Sequence, residues 1–445
     1  FHQHDRGWVL SLLAACCCVY LPFLGNPFFF DDLHFFTGVI LDQYAQSSFK
    51  LDLRWFPYYS FGWTAEIFSD AVPHFFHLGN LLLHAANTIL LFYLLRKIIG
   101  EVIQVRQDSP QLILGAWAAA LIFAAHPVAV YAVGYTIQRS IVMATLFVLL
   151  MQMAYLRGIL TGQIRWLVLA ASCYFLAAFS KEHSVLAPAI LATLTPLLRA
   201  KIAVSKRTLW LTWSAFFAVA VLVTLRSRGV LGFAYEPMAA ELFEQQGLLA
   251  STPMLHLLNA LTQAGLFFNY IFLWIFPNVS WMSVDMREPF ISSWEDWYGW
   301  CCLAAFVSYG ILATRCLFRG GKMGLIGFAL LYPWLQFGVE LVGIRVQEPF
   351  VLYRSYLWMP GFLLLIPLLV MEFQRVNTKW ILVCLVVMLI PLAWNRLWVF
   401  ADNYRLWNDA AMLLKHERVA GADRIYYNRG QALMAGKRWE SDTSR

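Results

Sequence analysis

Charge is what this sequence has least of. Only 13% of its 445 residues are charged, against 60% hydrophobic, and the mean hydropathy is +0.61. Soluble domains carry about a quarter charged residues, so a soluble globular fold of this length is excluded. A polytopic helical membrane protein remains. Basic faces with interleaved aromatics and nucleic-acid motifs are also missing, so the net charge of +7 concerns membrane topology and not nucleic acid. Cysteines are few: Cys16, Cys17, Cys18, Cys173, Cys301, Cys302, Cys316 and Cys384 all lie in or beside apolar segments. None has CxxC spacing, and no disulfide framework is expected. Aromatics are plentiful instead, with 19 Trp and 19 Tyr suited to interfacial belts.

Apolar runs long enough to span lie near 7–25, 75–95, 111–126, 136–156, 165–180, 183–199, 207–226, 299–317, 323–341, 355–371 and 380–398. The first contains a lipoprotein-like box, Leu13-Ala14-Ala15-Cys16, but runs on to Leu24, so it reads as an uncleaved span. Cations gather at alternate junctions: Arg6, Arg96–Arg106, Arg157–Arg165, Arg199–Arg207, Arg315–Lys322 and Arg375–Lys379. The positive-inside rule makes those ends cytoplasmic. A further apolar run, 255–277, is ambiguous by itself; on this count it should not cross and reads as a re-entrant or interfacial helix. The expectation is eleven crossings, with outer-face loops 26–74 and 227–298. The transmembrane domain covers 1–398. Residues 399–445 turn polar and helical, resembling the start of a tetratricopeptide-type repeat, and form a short outer-face cap.

On this topology the unusual polar residues gather on one face. Asp31 and Asp32 are adjacent carboxylates in an aromatic nest beside His34, and acids at a membrane boundary are usually functional. A divalent cation, Mg or Mn, is an open option at these three, although hard cations usually recruit more oxygens. His77, Asn80 and His84 share one helical face, fitting a hydrogen-bonded seam better than a metal site. Arg139 enters an apolar helix with no acid nearby in sequence; a structural ion pair and a lipid phosphate are equal claimants. Ser180-Lys181-Glu182-His183 reads as an outer turn or a site. Arg345, Glu348, Tyr353, Arg354 and Tyr356 suit a phosphate or interfacial snorkelling. One carboxylate pair facing several cations is what sugar transfer from a lipid phosphate requires. The acid deprotonates an acceptor hydroxyl, and the cations stabilise the departing phosphate.

Phe30-Asp31-Asp32-Leu33-His34-Phe35 resembles the acidic first-loop motif of protein O-mannosyltransferases of the GT-C class. The segments His77–His84, His126–Ser140, Ser180–Glu182 and Tyr353–Leu357 look like landmarks of TMTC-like, repeat-bearing membrane glycosyltransferases, and compact bacterial pilin glycosyltransferases are similar in size. Tyr353-Arg354-Ser355 departs from the Asp-Arg-Tyr frequent in the family, and the repeats stop after about one. The resemblance implies a GT-C-like, all-α fold and an inverting transfer from a polyprenyl-phosphate-linked sugar, mannose-like or arabinofuranose, to a hydroxyl of a protein such as pilin or of a glycan. It places the enzyme in a bacterial inner membrane with its active site facing the periplasm. It implies Asp31 as base and Asp32 in support. Arg139, Lys181, Arg345 and Arg354 become the phosphate clamp, with Arg226 and Arg228 near it. His34, His126, Gln138, Glu182, Glu236 and Tyr356 shape the pocket. Two rivals stand: an O-antigen ligase or polymerase-like enzyme using a diphosphate carrier, and a lipid-linked sugar flippase. Transporters need polar residues through the midplane and often internal repeats; here they crowd one face, which favours an enzyme.

Overall fold

The structure, a computed structural model, describes residues 5–37, 40–46, 50–68, 72–227, 252–372, 378–416 and 419–443. It is all-helical among those residues. The helices are α1 Arg6–Tyr20, α2 Asp31–Phe36, α3 Ile40–Ala45, α4 Trp55–Phe68, α5 Pro73–Ile103, α6 Pro110–Ala125, α7 Pro127–Val133, α8 Arg139–Thr161, α9 Ile164–Ser180, α10 Ala187–Leu197 and α11 Lys206–Arg226. After them come α12 Thr252–Ile275, α13 Trp297–Phe318, α14 Gly321–Val342, α15 Met359–Phe362, α16 Leu365–Glu372, α17 Thr378–Val399, α18 Asn403–Met412 and α19 Ala422–Thr443.

Local chemistry sets several boundaries. Proline opens α5, α6 and α7, where its missing N–H has no helical partner to lose. The Ser205, Asp296 and Asp402 side chains cap α11, α13 and α18. Gly162, at φ 73°, closes α8 in the left-handed conformation. At His126–Pro127 the chain bends by 59°, and α7 leads into the segment Tyr135–Ser140.

Among the described residues, eight helices are long and apolar enough to cross a membrane, nine if α6 and α7 form one bent span. This fits an integral membrane protein. The expected eleven are not reached: every expected run is helical, but α9 has 17 residues, α10 has 11, and the run near 355–371 breaks into α15 and α16. Conversely, α12, expected not to cross, has span-like length and composition over Met254–Ile275. Its N-terminal turns and the chain beyond it pack near the C-terminal ends of α14 and α17. Asn259 donates to the Glu340 and Leu341 carbonyls (3.1 and 3.0 Å) at the end of α14. Seven residues beyond Ile275, the Met282 carbonyl accepts from Arg396 (2.7 Å), near the end of α17.

The two ends of the bundle differ in chemistry. α5, 31 residues and so about 46 Å long at 1.5 Å per residue, runs between them. Near its foot lie the pairs Arg96–Asp5 (3.0 Å), Lys97–Glu101 (2.7 Å) and Lys201–Glu101 (3.0 Å). Near its head, α2, α3 and α4 lie over the bundle. Between the ends runs the seam expected from His77, Asn80 and His84. His77 contacts the Asn26 carbonyl (3.1 Å), Asn80 donates to the Val133 and Thr136 carbonyls (both 3.2 Å), and His84 meets the Tyr356 hydroxyl (2.7 Å). Each buried polar group thus has a partner inside an apolar surround.

Candidate active site

A cavity of about 370 Å³ opens at the head of α5, bounded by α2–α4, the Ile137–Ser140 turn, the end of α9 and the segment Arg345–Arg354. Its wall carries four cations, Arg54, Lys181, Arg345 and Arg354, and two carboxylates, Asp31 and Glu348. His34, Tyr44, Tyr58, Gln138, His183 and Tyr353 add polar edges.

Asp31 begins α2 and opens onto this cavity. The residue before it, Phe30, holds φ 53° without being glycine. Such strain persists only where the surroundings over-determine it. Here Phe29 stacks on Tyr135 (4.9 Å between ring centroids), Phe30 meets Trp407 (5.3 Å), and the Asp31 N–H donates to the Tyr135 hydroxyl (3.1 Å). The cavity walls desolvate the Asp31 carboxyl and raise its pKa, while the Tyr135 hydroxyl, Arg424 and Lys181 oppose the rise and Glu348 adds to it.

Asp32 faces the other way. Its Oδ1 accepts the Ile137 N–H at 2.7 Å, and Oδ2 is buried without a hydrogen-bond partner. Burial, above all, pushes its pKa up to about 8, so it is largely protonated at neutral pH. Asp32 pins α2 to the Ile137 turn and does not line the cavity. The Asp31–Asp32–His34 set therefore does not converge on a cation, and among the described residues no three acidic, His or Cys side chains do.

Lys181, the first residue after α9, is buried with its ammonium 5.3 Å from the Tyr353 ring centroid. It has no carboxylate within ion-pair distance among the described residues. Burial and then the neighbouring Arg54 charge lower its pKa to about 7. The flanking arginines are held from behind. Arg54 Nε donates to Glu182 (3.0 Å) and Arg354 to Glu340 (2.7 Å). His183 stands between those acids, 3.6 Å from Glu182 and 3.3 Å from Glu340.

Of the residues expected from sequence, Asp31, His34, Gln138, Lys181, Arg345 and Arg354 meet in this cavity. Glu182 stands behind Arg54. His126 does not line it: its Nδ1 caps α7 by accepting from Val128 N (3.2 Å), and Nε2 meets the Trp274 carbonyl (3.2 Å). Tyr356 belongs to the His84–Asn87 seam (2.7 and 3.1 Å). Arg226 ends α11 away from the wall. Glu236 and Arg228 lie outside the described residues.

Arg139 is the largest departure. It is buried away from the cavity, donating to Asn80 Oδ1 (2.9 Å), Ser60 Oγ (3.0 Å) and the Phe76 carbonyl (2.8 Å), with its guanidinium 4.0 Å from the Phe61 ring centroid. Neutral acceptors and an aromatic face satisfy it, so neither an acid nor a phosphate is needed. Arg139→Ala is expected to lower stability by about 2–3 kcal/mol, the scale of charge-assisted hydrogen bonds lost with their partners left buried, and to leave lipid-phosphate affinity unchanged. Thermal unfolding and lipid binding in detergent check both halves.

Sequence reasoning missed Arg54, Tyr58 and Glu340. Arg54 carried a signal, as a cation within the acidic, aromatic stretch 26–74. So did Glu340, an acid inside an apolar run.

No family model and no curated protein matches the chain. The solved structures it is similar to include two of an archaeal enzyme. One is the archaeal oligosaccharyltransferase AglB from Archaeoglobus fulgidus in complex with an inhibitory peptide and a dolichol-phosphate. The identity is 16%, the TM-score 0.45, and the match covers 96% of this chain and 60% of that one. The other is the Archaeoglobus fulgidus oligosaccharyltransferase tethered with an acceptor peptide containing the NVT sequon, with 14% identity, TM-score 0.45, and coverage of 93% and 56%. The chain thus spans about six tenths of their length.

Proposed function

We propose that this chain is a GT-C-like membrane glycosyltransferase that moves a sugar from a polyprenyl-phosphate carrier to an acceptor hydroxyl. The carrying observation is that Asp31 and Lys181 share one cavity wall, close enough for each to bias the other's charge. The first-loop motif resemblance supports the same reading. So do the basic clusters near the foot of α5, at the opposite end of the bundle, which fit a cavity on the outer face.

In the proposed reaction, Asp31 takes the proton from the acceptor hydroxyl as that oxygen bonds to the anomeric carbon. The bond from that carbon to the phosphate oxygen breaks, and the electron pair leaves with the lipid phosphate. Attack opposite the leaving group inverts the centre. Lys181 meets the phosphate, with Arg345 beside it, while Arg54 and Arg354, each fixed in place by its carboxylate partner, Glu182 or Glu340, complete a rigid rim of N–H donors. No step is assigned to a metal.

Lys181 makes the reading testable by pH. Its ammonium is present below about pH 7 and lost above it. Affinity for a fluorescent polyprenyl phosphate in nanodiscs is expected to fall by up to about tenfold per pH unit above 7, until the bound-state pKa is passed. Lys181→Arg should flatten the decline, because a guanidinium stays charged. A flat wild-type profile, or an equal decline in Lys181→Arg, would remove Lys181 from the phosphate site.

A further inference from the structure

The segment after α17 is tied to the Phe30–Asp31 turn by Arg424 and Trp407. Arg424, in the first turn of α19, donates from Nε and Nη2 to Asp285 Oδ2 (3.0 and 2.8 Å). The same Nη2 pairs with Glu348, a residue of the cavity wall. Its guanidinium carbon lies 4.8 Å from the ring centroid of Phe30, the strained residue immediately before Asp31. Trp407 of α18 packs edge-on against the same ring (5.3 Å). The hairpin is itself fixed by Arg396–Asp409 (3.0 Å) and Lys415–Glu288 (2.9 Å). Anchoring a tail needs only these last two pairs. They do not explain an arginine that reaches past Asp285 to a cavity carboxylate and to the aromatic ring behind the base.

We propose that Arg424 is a positioning residue of the active site: together with Trp407 it clamps the Phe30 turn that presents Asp31, and it sets the charge around that carboxylate by engaging Glu348. The C-terminal hairpin is then a working part of the site and not a separate cap. The inference rests on the reading of Asp31 as the base. Asp31 has Asp32 and His34 beside it on its own helix, Tyr135 and Lys181 from the bundle, and Glu348 and Arg424 at the rim. Arg424 favours its ionised form and Glu348 opposes it, so removing either charge moves Asp31 in a known direction.

The experiment is an infrared pH titration of the full chain in detergent, following the protonated-carboxyl band that Asp31→Asn abolishes. Arg424→Ala is expected to move its midpoint up by roughly 0.5–1 pH unit, the size of one partly screened charge. Glu348→Gln is expected to move it down. A purely structural anchor would lower the unfolding temperature and leave the midpoint in place. An unshifted midpoint in folded Arg424→Ala overturns the inference. Should that variant fail to fold, Glu348→Gln decides alone, and an unshifted or raised midpoint there overturns it equally. Because the titration does not depend on turnover, its result is separable from the test of Asp31 as base.

Discussion

Asp31→Asn is expected to lose about 10²–10⁴ in transfer rate, the usual worth of a general base, while binding lipid phosphate as the wild type does. The amide keeps the size of the carboxyl but cannot accept the acceptor's proton. Donor affinity is spared because the phosphate is assigned to Lys181 and Arg345, which line the cavity from segments other than α2. Asp32→Asn should be far milder in rate: Asp32 is turned away from the cavity and holds the Ile137 N–H. Its effect falls on the pH dependence of folding. A carboxyl whose folded pKa is raised to about 8 contributes stability that is complete below its unfolded value and lost as pH rises through 8. Asp32→Asn removes that dependence. For the wild type, activity should climb through a raised Asp31 pKa and fall again as Lys181 deprotonates above about 7, giving a bell. The measurements are transfer rate and lipid binding in vesicles across pH, with folding checked thermally. Normal transfer by Asp31→Asn would reduce this turn to a helix start.

Much of the site was legible in sequence because intramembrane charge is rare and conspicuous. Lys181, Arg345 and Arg354 stood out for that reason, and so did Asp31. What sequence could not supply was direction. Asp31 and Asp32 are neighbours on a helix, about 100° apart around its axis at 3.6 residues per turn, so one enters the cavity and the other the core. Nothing in the pair itself distinguishes them. Arg139 misled for a related reason: it has no acid nearby in sequence, but three neutral acceptors and the Phe61 ring converge on it from α4 and α5. Such partners are invisible until the helices are packed. The span count is left unconfirmed by helix length. The 17-residue α9 is at the lower end of what a bilayer core requires, and the 11-residue α10 reaches it only with the turn Glu182–Leu186 that precedes it.

The largest stability effect is expected behind the cavity, at Arg354 and Glu340. Both are almost fully buried, at 1% and 3% exposure, and share a 2.7 Å ion pair. Arg354→Met would remove an ion-pair partner of Glu340 and leave it beside His183 at 3.3 Å. Breaking a buried pair from one side typically destabilises by about 3–5 kcal/mol, because an uncompensated charge stays behind. Replacing both residues, Arg354→Met with Glu340→Leu, should recover most of that loss, since a buried ion pair often only breaks even against apolar side chains of similar volume. The front pair behaves differently. The Arg54 side chain is 37% exposed and Glu182 20%, so Arg54→Met should destabilise by about 1 kcal/mol or less. Unfolding in detergent for the four proteins checks the ranking, and a wild-type stability for Arg354→Met would show that Glu340 finds another partner. Transfer activity adds a second reading. If the double variant folds but loses phosphate-lipid affinity, the buried pair is there to hold a cation at the cavity wall and not to stabilise the bundle.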